Sequence, residues 1–185
     1  MVLGSKCNKL LSKITSVHLF PSSASIERYK ESVKNKQLNQ KYGKKDINFN
    51  SPLDRYWDKR YFLFEKFDEG IKLDEESWYS VTPEAVAYYV SAKVNVKGTI
   101  VDAFCGAGGD AIKLATSCGN LIANDIDEVK LKCLLNNAKI YDANNISISC
   151  SDFFNLNTKA DAVYLAPPWG GPDYYKIESF HPESF

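Results

Sequence analysis

The sequence has 185 residues, in which 23 Lys and Arg balance 23 Asp and Glu, and it is rich in aromatic residues, with 10 Phe, 11 Tyr and 3 Trp. This length suits one domain with a sizeable core and room for a tail. The charge is uneven, because residues 1–50 carry ten Lys/Arg against three Asp/Glu. A basic arm on an acidic domain is typical of proteins that bind an anionic partner such as nucleic acid, and equally of a solvated leader.

The cysteines and the hydropathy exclude several classes of protein. The five cysteines form no C-x-x-C pair, and there are two histidines, so no recognisable zinc site is predicted and a disulfide framework is disfavoured. A reducing compartment, the cytosol or the nucleus, fits best. No apolar run approaches the length of a membrane span, and lysines interrupt every apolar cluster in residues 1–20, which makes a poor signal peptide.

The first half of the chain divides into a leader and a helical extension. Residues 1–50 are predicted to be mostly disordered, since Ser, Lys and Asn dominate them. Residues 51–97 are predicted to form an extension with one helix over 53–67, which carries an apolar stripe and ends at Gly70. A second helix is predicted to begin with Thr82 as N-cap and Pro83 at the first helical position.

Residues 98–185 alternate between short apolar strands and helices. Strands are predicted at 99–101, 121–123, 146–150 and 162–165, and helices at 109–116 and 128–141. This alternation predicts an α/β fold of the Rossmann-like kind, with a mostly parallel sheet covered by helices on both faces. Right-handed crossovers bring the carboxyl ends of all four strands to one crevice.

The glycine turn after the first strand is the predicted entry point of a nucleotide-type cofactor. Gly106, Gly108 and Gly109 lie in the turn, and glycine lets a backbone approach a ligand closely. Alone, the pattern fits a dinucleotide as well as S-adenosyl-L-methionine. Asp102 and Asp110 flank the turn with negative charge, which disfavours a pyrophosphate and suits a cationic sulfonium with an amino-acid end.

The other strand ends carry polar or rigid residues. Asp125 ends the second strand, where a carboxylate can accept both ribose hydroxyls, while Asp127 is predicted to cap the following helix. Asp152 follows the third strand. The fourth strand leads into residues 166–169, Ala-Pro-Pro-Trp, in which two prolines fix a loop and the tryptophan offers a flat face for stacking a base.

Three stretches carry a resemblance to a known family. They are residues 67–84, which run from Phe-Asp-Glu-Gly to Ser-Val-Thr-Pro-Glu, residues 101–106, Val-Asp-Ala-Phe-Cys-Gly, and residues 167–174, Pro-Pro-Trp-Gly-Gly-Pro-Asp-Tyr. With these stretches the sequence resembles the methyltransferase domain of the trimethylguanosine synthase family over about residues 53–180. The first and third stretches are far more specific than the glycine turn.

The resemblance implies a cofactor and the residues that bind it. S-adenosyl-L-methionine would lie across the glycine turn, with its adenine near the third strand and its methionine end covered by the segment before the first strand. The implied cofactor-binding residues are Phe64, Ser80, Thr82, Asp102, Phe104, Cys105, Gly106, Gly108, Asp125, Ile126, Asp152, Phe153 and Pro167, with Phe64 as the part of the aromatic helix nearest the cofactor.

The resemblance also implies the acceptor. It would be the exocyclic N2 of the 7-methylguanosine cap of small nuclear and nucleolar RNAs, carried in ribonucleoproteins, which places the protein in the nucleus and also allows the cytoplasm. Pro167, Trp169 and Ala166 would form the catalytic loop. Pro172, Asp173 and Tyr174 would bind substrate together with Trp169, whose face rewards the cationic base that N7 methylation creates. No metal and no membrane are implied.

Two departures from the family leave alternatives open. Ala166 stands where such loops place Asn, Asp or Ser, and the chain stops after the fourth of seven expected strands. We therefore also consider a weakened or non-catalytic cap- or cofactor-binding module, and an amino-methyltransferase that acts on adenine in nucleic acid. A nicotinamide oxidoreductase comes last, because the crevice lacks a general acid for it.

Overall fold

The computed structural model describes residues 54–94 and 96–171. The predictions for residues 1–50, for the first residues of the extension at 51–53, and for Pro172, Asp173 and Tyr174 therefore lie outside the described residues. The elements are α1 (Asp54–Trp57), α2 (Arg60–Leu63), α3 (Ser77–Ser80), α4 (Glu84–Lys93), β1 (Thr99–Asp102), α5 (Gly109–Leu114), β2 (Asn120–Asp125), α6 (Glu128–Ile140), β3 (Ile146–Cys150) and β4 (Ala162–Tyr164), with 3-10 turns at Phe67–Glu69, Ala115–Ser117 and Phe153–Asn155.

The four strands form one parallel sheet in the order β3-β2-β1-β4. The order reverses direction beside β1, and in a sheet of this kind the crevice next to such a switch point is where ligands bind. Residues of β1 and β2 are buried on both faces, as expected for a parallel sheet covered by helices. The predicted α/β fold with four parallel strands is therefore confirmed.

The helix that follows β2 has a defined start and a buried face. The side chain of Asp127 accepts a hydrogen bond from the Val129 N–H, so Asp127 is the predicted N-cap of α6. The inward side of α6 packs Leu131 and Leu134 into the core. Burying a leucine side chain contributes about 1.5–3 kcal/mol, so this face holds α6 firmly on the sheet.

The aromatic segment before β1 is not the single helix predicted over 53–67. It contains two single-turn helices, α1 and α2, followed by the 3-10 turn at Phe67–Glu69. The chain bends because Phe67 folds back so that its ring meets Trp57 edge-on at 5.7 Å and Trp78 at 5.5 Å. Packing among aromatic rings has overridden the helical spacing, and Gly70, with φ 104°, ends the turn.

The predicted cap of the helix before β1 is also wrong. α4 begins at Glu84, and neither Thr82 nor Pro83 caps it with a side chain. The Thr82 hydroxyl instead donates to Asp110 Oδ2 at 2.6 Å, across 28 residues of sequence. This long-range bond takes the hydroxyl away from the helix end and fastens the extension to the turn after β1.

One buried amide joins the extension to the rest of the fold. Asn137 of α6 is fully buried, and its Oδ1 accepts from the Lys72 N–H at 2.8 Å while its Nδ2 donates to the Lys72 carbonyl at 2.8 Å. The same Nδ2 donates to the carbonyl of Ala107 in the glycine turn at 3.0 Å. A single side chain thus satisfies three backbone groups and fixes the extension against the turn.

We expect Asn137→Ala to lower the free energy of unfolding by about 2–4 kcal/mol, because each buried polar group that loses its partner costs about 1–3 kcal/mol. Urea denaturation of the purified chain measures this loss. Asn144→Ala is the control, since Asn144 is exposed, and its effect should stay within about 0.5 kcal/mol. Equal losses in the two variants would contradict the role of Asn137.

Candidate functional site: a cleft at the carboxyl edge of the sheet

A cavity of about 560 Å³ lies at the carboxyl edge of the sheet. Its walls include residues that follow each of the four strands, at 103–107, 124–127, 151–154 and 166–169, together with residues of the 76–82 segment. The predicted meeting of the four strand ends is thus observed. The volume is within the range of small-molecule and cofactor sites, about 300–1,000 Å³.

The three glycines of the turn have different physical roles. Gly106 has φ 51°, and a Cβ built on it would meet no atom within 4 Å, so this residue leaves room toward the cleft. A Cβ on Gly108 would lie 2.9 Å from Leu134 Cγ, and one on Gly109 would lie 2.8 Å from Val81 Cγ1. Packing therefore requires Gly108 and Gly109. The open space beside Gly106 would let a ligand approach the backbone closely, as predicted for the glycine turn.

Two buried carboxyl groups lie at the turn between β1 and α5. Asp102 is 1% exposed, and neither of its oxygens has a hydrogen-bond partner of normal geometry among the described residues; Oδ1 of Asp110 likewise has none. Burial, and then the neighbouring Asp110, raise the pKa of Asp102 well above its ordinary value. Burial also raises the pKa of Asp110, which hydrogen bonds from Thr82 and Tyr164 partly oppose. Such groups suit a cationic ligand, which would satisfy them.

Asp125 connects two strand-end loops and faces the cleft. Its Oδ2 accepts from the Gly106 N–H at 2.9 Å, and its Oδ1 accepts from the Asp127 N–H at 2.9 Å. A carboxylate oxygen accepts more than one hydrogen bond, so both oxygens keep capacity for ribose hydroxyls. The position predicted for the ribose is therefore compatible with the observed contacts.

The far end of the cleft offers flat apolar faces. The rings of Phe104 and Phe153 lie 5.9 Å apart, and the side chain of Ile126, which is largely exposed, lines the same end. Asp152 also lines it, and its Oδ1 accepts from the Phe154 N–H at 2.9 Å. An adenine ring would fit between apolar surfaces of this kind, as predicted for Asp152 and Phe153.

The loop after β4 brings the predicted acceptor residues to the cleft. Ala166, Pro167 and Trp169 all line it, and the Trp169 side chain is 38% exposed. Gly170 and Gly171 follow with φ 90° and 70°, a backbone conformation that favours glycine. The tryptophan face is thus presented at the cleft rather than packed into the core.

The structure brings most of the predicted site residues together. Those that line the cleft are Ser80, Thr82, Phe104, Cys105, Gly106, Asp125, Ile126, Asp152, Phe153, Ala166, Pro167 and Trp169. Cys105 is buried, and burial raises the pKa of its thiol far above the usual range, so it remains a neutral wall residue.

Three predicted cofactor residues lie behind the lining. Phe64 is 2% exposed and packs in the core with its ring 6.1 Å from that of Tyr141. The apolar stripe correctly predicted that Phe64 is buried, but the fold of the aromatic segment turns it into the core. Asp102 and Gly108 lie under the turn, one as a buried carboxyl group and the other as a packing contact.

Sequence reasoning missed several residues of the cleft. Glu76 and Lys130 line it and form an ion pair of 2.7 Å. Asn124, buried at the end of β2, donates to the carbonyls of Ala103 and Ser151 and accepts from the Ser151 hydroxyl at 2.8 Å. The polar Asn directly before Asp125, inside an apolar strand, was the available signal for a buried hydrogen-bonding role.

The described residues contain neither a cluster of metal ligands nor a helix that could span a membrane. No group of three or more His, Cys, Asp or Glu side chains there is arranged to hold a metal ion. In the same part of the chain, no helix combines the length and apolar character that crossing a bilayer requires.

The fold and the cleft define the class of protein. A parallel sheet with a glycine turn after β1, a carboxylate at the end of β2 and buried acids beneath the turn is typical of Rossmann-like, S-adenosyl-L-methionine-dependent methyltransferase domains. Residues 97–184 match the family model described as RNA cap guanine-N2 methyltransferase. This match agrees with the family that the sequence resemblance predicted.

Individual proteins are similar to parts of this chain. The chain is 37% identical over 150 residues to the trimethylguanosine synthase of Schizosaccharomyces pombe, a match that covers 72% of this chain and 62% of that protein. It is 31% identical over 144 residues to the trimethylguanosine synthase of Saccharomyces cerevisiae, covering 71% and 46%. The chain thus spans about half to two thirds of the length of these relatives. Among solved structures, Trm5b from Pyrococcus abyssi is 25% identical over 46% of this chain and 26% of that chain, with a TM-score of 0.42.

We expect Asp102→Asn to stabilise the unliganded protein at pH 8 and to weaken its binding of S-adenosylhomocysteine. Because the pKa of Asp102 is raised in the folded state, the stability linked to its proton is present below the ordinary value of 3.8 and is lost as the pH rises through the folded pKa. The variant removes that loss, so its melting temperature should exceed that of the wild type at pH 8, and the gap should narrow at pH 5.

Binding of S-adenosylhomocysteine should weaken, by about tenfold, because the Asp102 carboxylate beneath the turn would attract the ammonium group of the ligand's amino-acid end through space. Thermal melts and calorimetry measure the two effects. Asp58→Asn, at an exposed position, is the control and should alter neither quantity. If Asp102→Asn melts at a lower temperature than the wild type at pH 8 and binds S-adenosylhomocysteine equally well, the Asp102 carboxyl group does not stabilise the cationic end of the ligand.

Proposed function

We propose that the protein transfers a methyl group from S-adenosyl-L-methionine to the exocyclic N2 of the 7-methylguanosine cap of RNA. The observation that carries the proposal is the match of residues 97–184 to the cap guanine-N2 methyltransferase family, together with a cleft that both Asp125 and Trp169 line. The nicotinamide alternative is set aside by the same match.

The charges of the cleft support this pair of ligands. Five carboxyl side chains are among the described lining residues, and the one lysine there, Lys130, is paired with Glu76 at 2.7 Å; the five are Glu76, Asp110, Asp125, Asp127 and Asp152. An acidic cleft favours cations, and both proposed ligands are cationic at their reactive parts, the methyl donor at its sulfonium and the acceptor base through its N7 methyl group.

Each wall has a separate task in this proposal. The cofactor supplies an electrophilic methyl group, which the N2 lone pair takes as the bond from carbon to sulfur breaks and the amine loses a proton. Asp110 and Thr82 would hold the methionine end, with Asp102 buried beneath them, and Asp125 would hold the ribose. Trp169 would stack the base and so align N2 with the methyl group, which makes positioning the main contribution to rate.

Ala166 provides no side-chain group that could orient the acceptor amine. It lines the cleft directly before Pro167, and its methyl group can neither accept a hydrogen bond nor take a proton. Backbone carbonyls of the loop would have to orient the N2 amine, so a slow reaction is expected of this chain. A binding module without activity and an adenine amino-methyltransferase are the other outcomes that an assay distinguishes.

The finer features belong to the same proposal. The relatives named trimethylguanosine synthase support a 2,2,7-trimethylguanosine product, and the substrates would be small nuclear and nucleolar RNAs in their ribonucleoproteins, in the nucleus. Transfer of labelled methyl groups to RNA with a 7-methylguanosine cap, an unmethylated guanosine cap or an internal adenosine tests the acceptor. Labelling only of the 7-methylated cap is expected, and labelling of adenosine would overturn the proposal.

We expect Trp169→Ala to weaken the binding of 7-methylguanosine triphosphate by about tenfold or more, since stacking of a base on an aromatic side chain contributes about 1–3 kcal/mol. Binding of S-adenosylhomocysteine should stay within about twofold of wild type, because Trp169 is at the acceptor end of the cleft. Trp169→Phe should keep part of the affinity. Calorimetry measures both ligands, and an unchanged cap affinity in Trp169→Ala would exclude Trp169 as the stacking surface.

We expect Ala166→Ser to raise the rate of methyl transfer by up to about tenfold, because its hydroxyl can accept a hydrogen bond that orients the N2 amine, and one hydrogen bond contributes about 0.5–1.5 kcal/mol. The measurement is single-turnover transfer to a 7-methylguanosine cap analogue. Ala166→Cys is the matched control, as it adds an atom to the same Cβ but only a weak acceptor. Equal rates for wild type and both variants would show that the side chain at this position does not limit the reaction.

A further inference from the structure

Tyr79 contacts the acceptor loop, although it lies in the segment before β1. It belongs to α3, between Ser77 and Ser80, which line the cleft. Its ring meets Trp169 edge-on, with centroids 6.4 Å apart and the planes at 84°. An edge-to-face pair of this geometry is attractive and directional, so Tyr79 restrains the plane of the tryptophan face.

The loop after Trp169 also packs on the Tyr79 ring. Gly171 has φ 70°, and a Cβ built on it would lie 3.1 Å from Tyr79 Cε2. On its other side, Tyr79 meets the ring of Tyr56 at 6.1 Å. The phenol ring is thus held between the extension and the acceptor loop, and it touches that loop at two positions.

Both ends of the segment that carries Tyr79 are fastened to the walls of the donor cleft. Before it, Glu76 pairs with Lys130 of α6 at 2.7 Å. After it, the Thr82 hydroxyl donates to Asp110 at 2.6 Å. Because Asp110 and Lys130 both line the cleft, a bound cofactor that orders these walls also sets the position of Tyr79.

We infer that Tyr79 is a positioning residue that couples the two halves of the cleft, so that a bound cofactor strengthens binding of the 7-methylated base by fixing the Trp169 face. The inference rests on the proposed function, and it deepens that function by assigning a positive coupling between the cofactor and the cap. Coupling of this kind is reciprocal, so the cap must strengthen cofactor binding by the same factor.

The test is a pair of calorimetric titrations of the full chain with 7-methylguanosine triphosphate, one without and one with saturating S-adenosylhomocysteine. In the wild type the cofactor product should strengthen cap binding by about five- to tenfold, within the usual range of coupling between sites. In Tyr79→Ala this ratio should fall to about one, while binding of S-adenosylhomocysteine alone stays within about twofold of wild type.

Three further variants separate positioning from general loss of structure. Tyr79→Phe keeps the ring and should restore the ratio, and Tyr79→Leu, which keeps apolar bulk without a flat edge, should behave as Tyr79→Ala. Tyr88→Ala is the matched control, since Tyr88 is a tyrosine 65% exposed on α4, and its ratio should equal that of the wild type. A merely structural role for Tyr79 would weaken both ligands and leave the ratio unchanged.

The outcomes separate the inference from the function on which it rests. A wild-type ratio near one, or an undiminished ratio in both Tyr79→Ala and Tyr79→Leu, overturns the coupling and leaves cap methylation standing. Absence of cap binding in the wild type, with or without S-adenosylhomocysteine, overturns the proposed function and the coupling together.

Discussion

Two adjacent side chains at the end of β2 hold the cleft together. Asn124 bonds to backbone groups that follow β1 and β3, and Asp125 bonds to the N–H of Gly106 in the turn after β1. Parallel strands are fixed to one another by their ladder, but the loops beyond the last ladder bonds are not. The polar side chains at the end of β2 bond to those loops and so fix three strand-end segments relative to one another. The wall proposed for the ribose is fixed by the same bonds.

A buried carboxyl group beneath the glycine turn lowers the stability of the unliganded protein. An apolar residue in place of Asp102 would remove a desolvated carboxyl group whose oxygens lack partners of normal geometry within the described residues. Such a group is stabilised by taking up a proton, which is why its pKa is raised, and a nearby cation would stabilise its charged form instead.

The sequence predicted the sheet well and the extension poorly, and the reason is physical. In β1–β4 and α6, local patterns decide the structure, since short apolar runs, the Asp127 cap and right-handed crossovers act over a few residues. In the aromatic segment the determinants are distant, because Phe67 packs on Trp78 and Thr82 bonds to Asp110. The same distinction holds at the site, where strand-end acids follow from topology, but the pair of Glu76 and Lys130 joins residues that no local pattern connects.

The extension is for this reason more than a cover. Besides apolar packing through residues such as Phe64, it makes polar and specific contacts with the core. These are an amide bonded to Lys72, an ion pair at Glu76 and a hydroxyl bonded to Asp110. A purely apolar cover could slide on the core with little loss, whereas groups that need defined partners fix one register. The position of the extension on the core matters because Tyr79 contacts the ring of Trp169 while Ser80 and Thr82, close to it in sequence, line the cleft. In the proposed methyl transfer, two ligands must be aligned with each other, so a wall that contacts both would help. Within the described residues, the 76–82 segment lines the cleft and also contacts Trp169 of the acceptor loop.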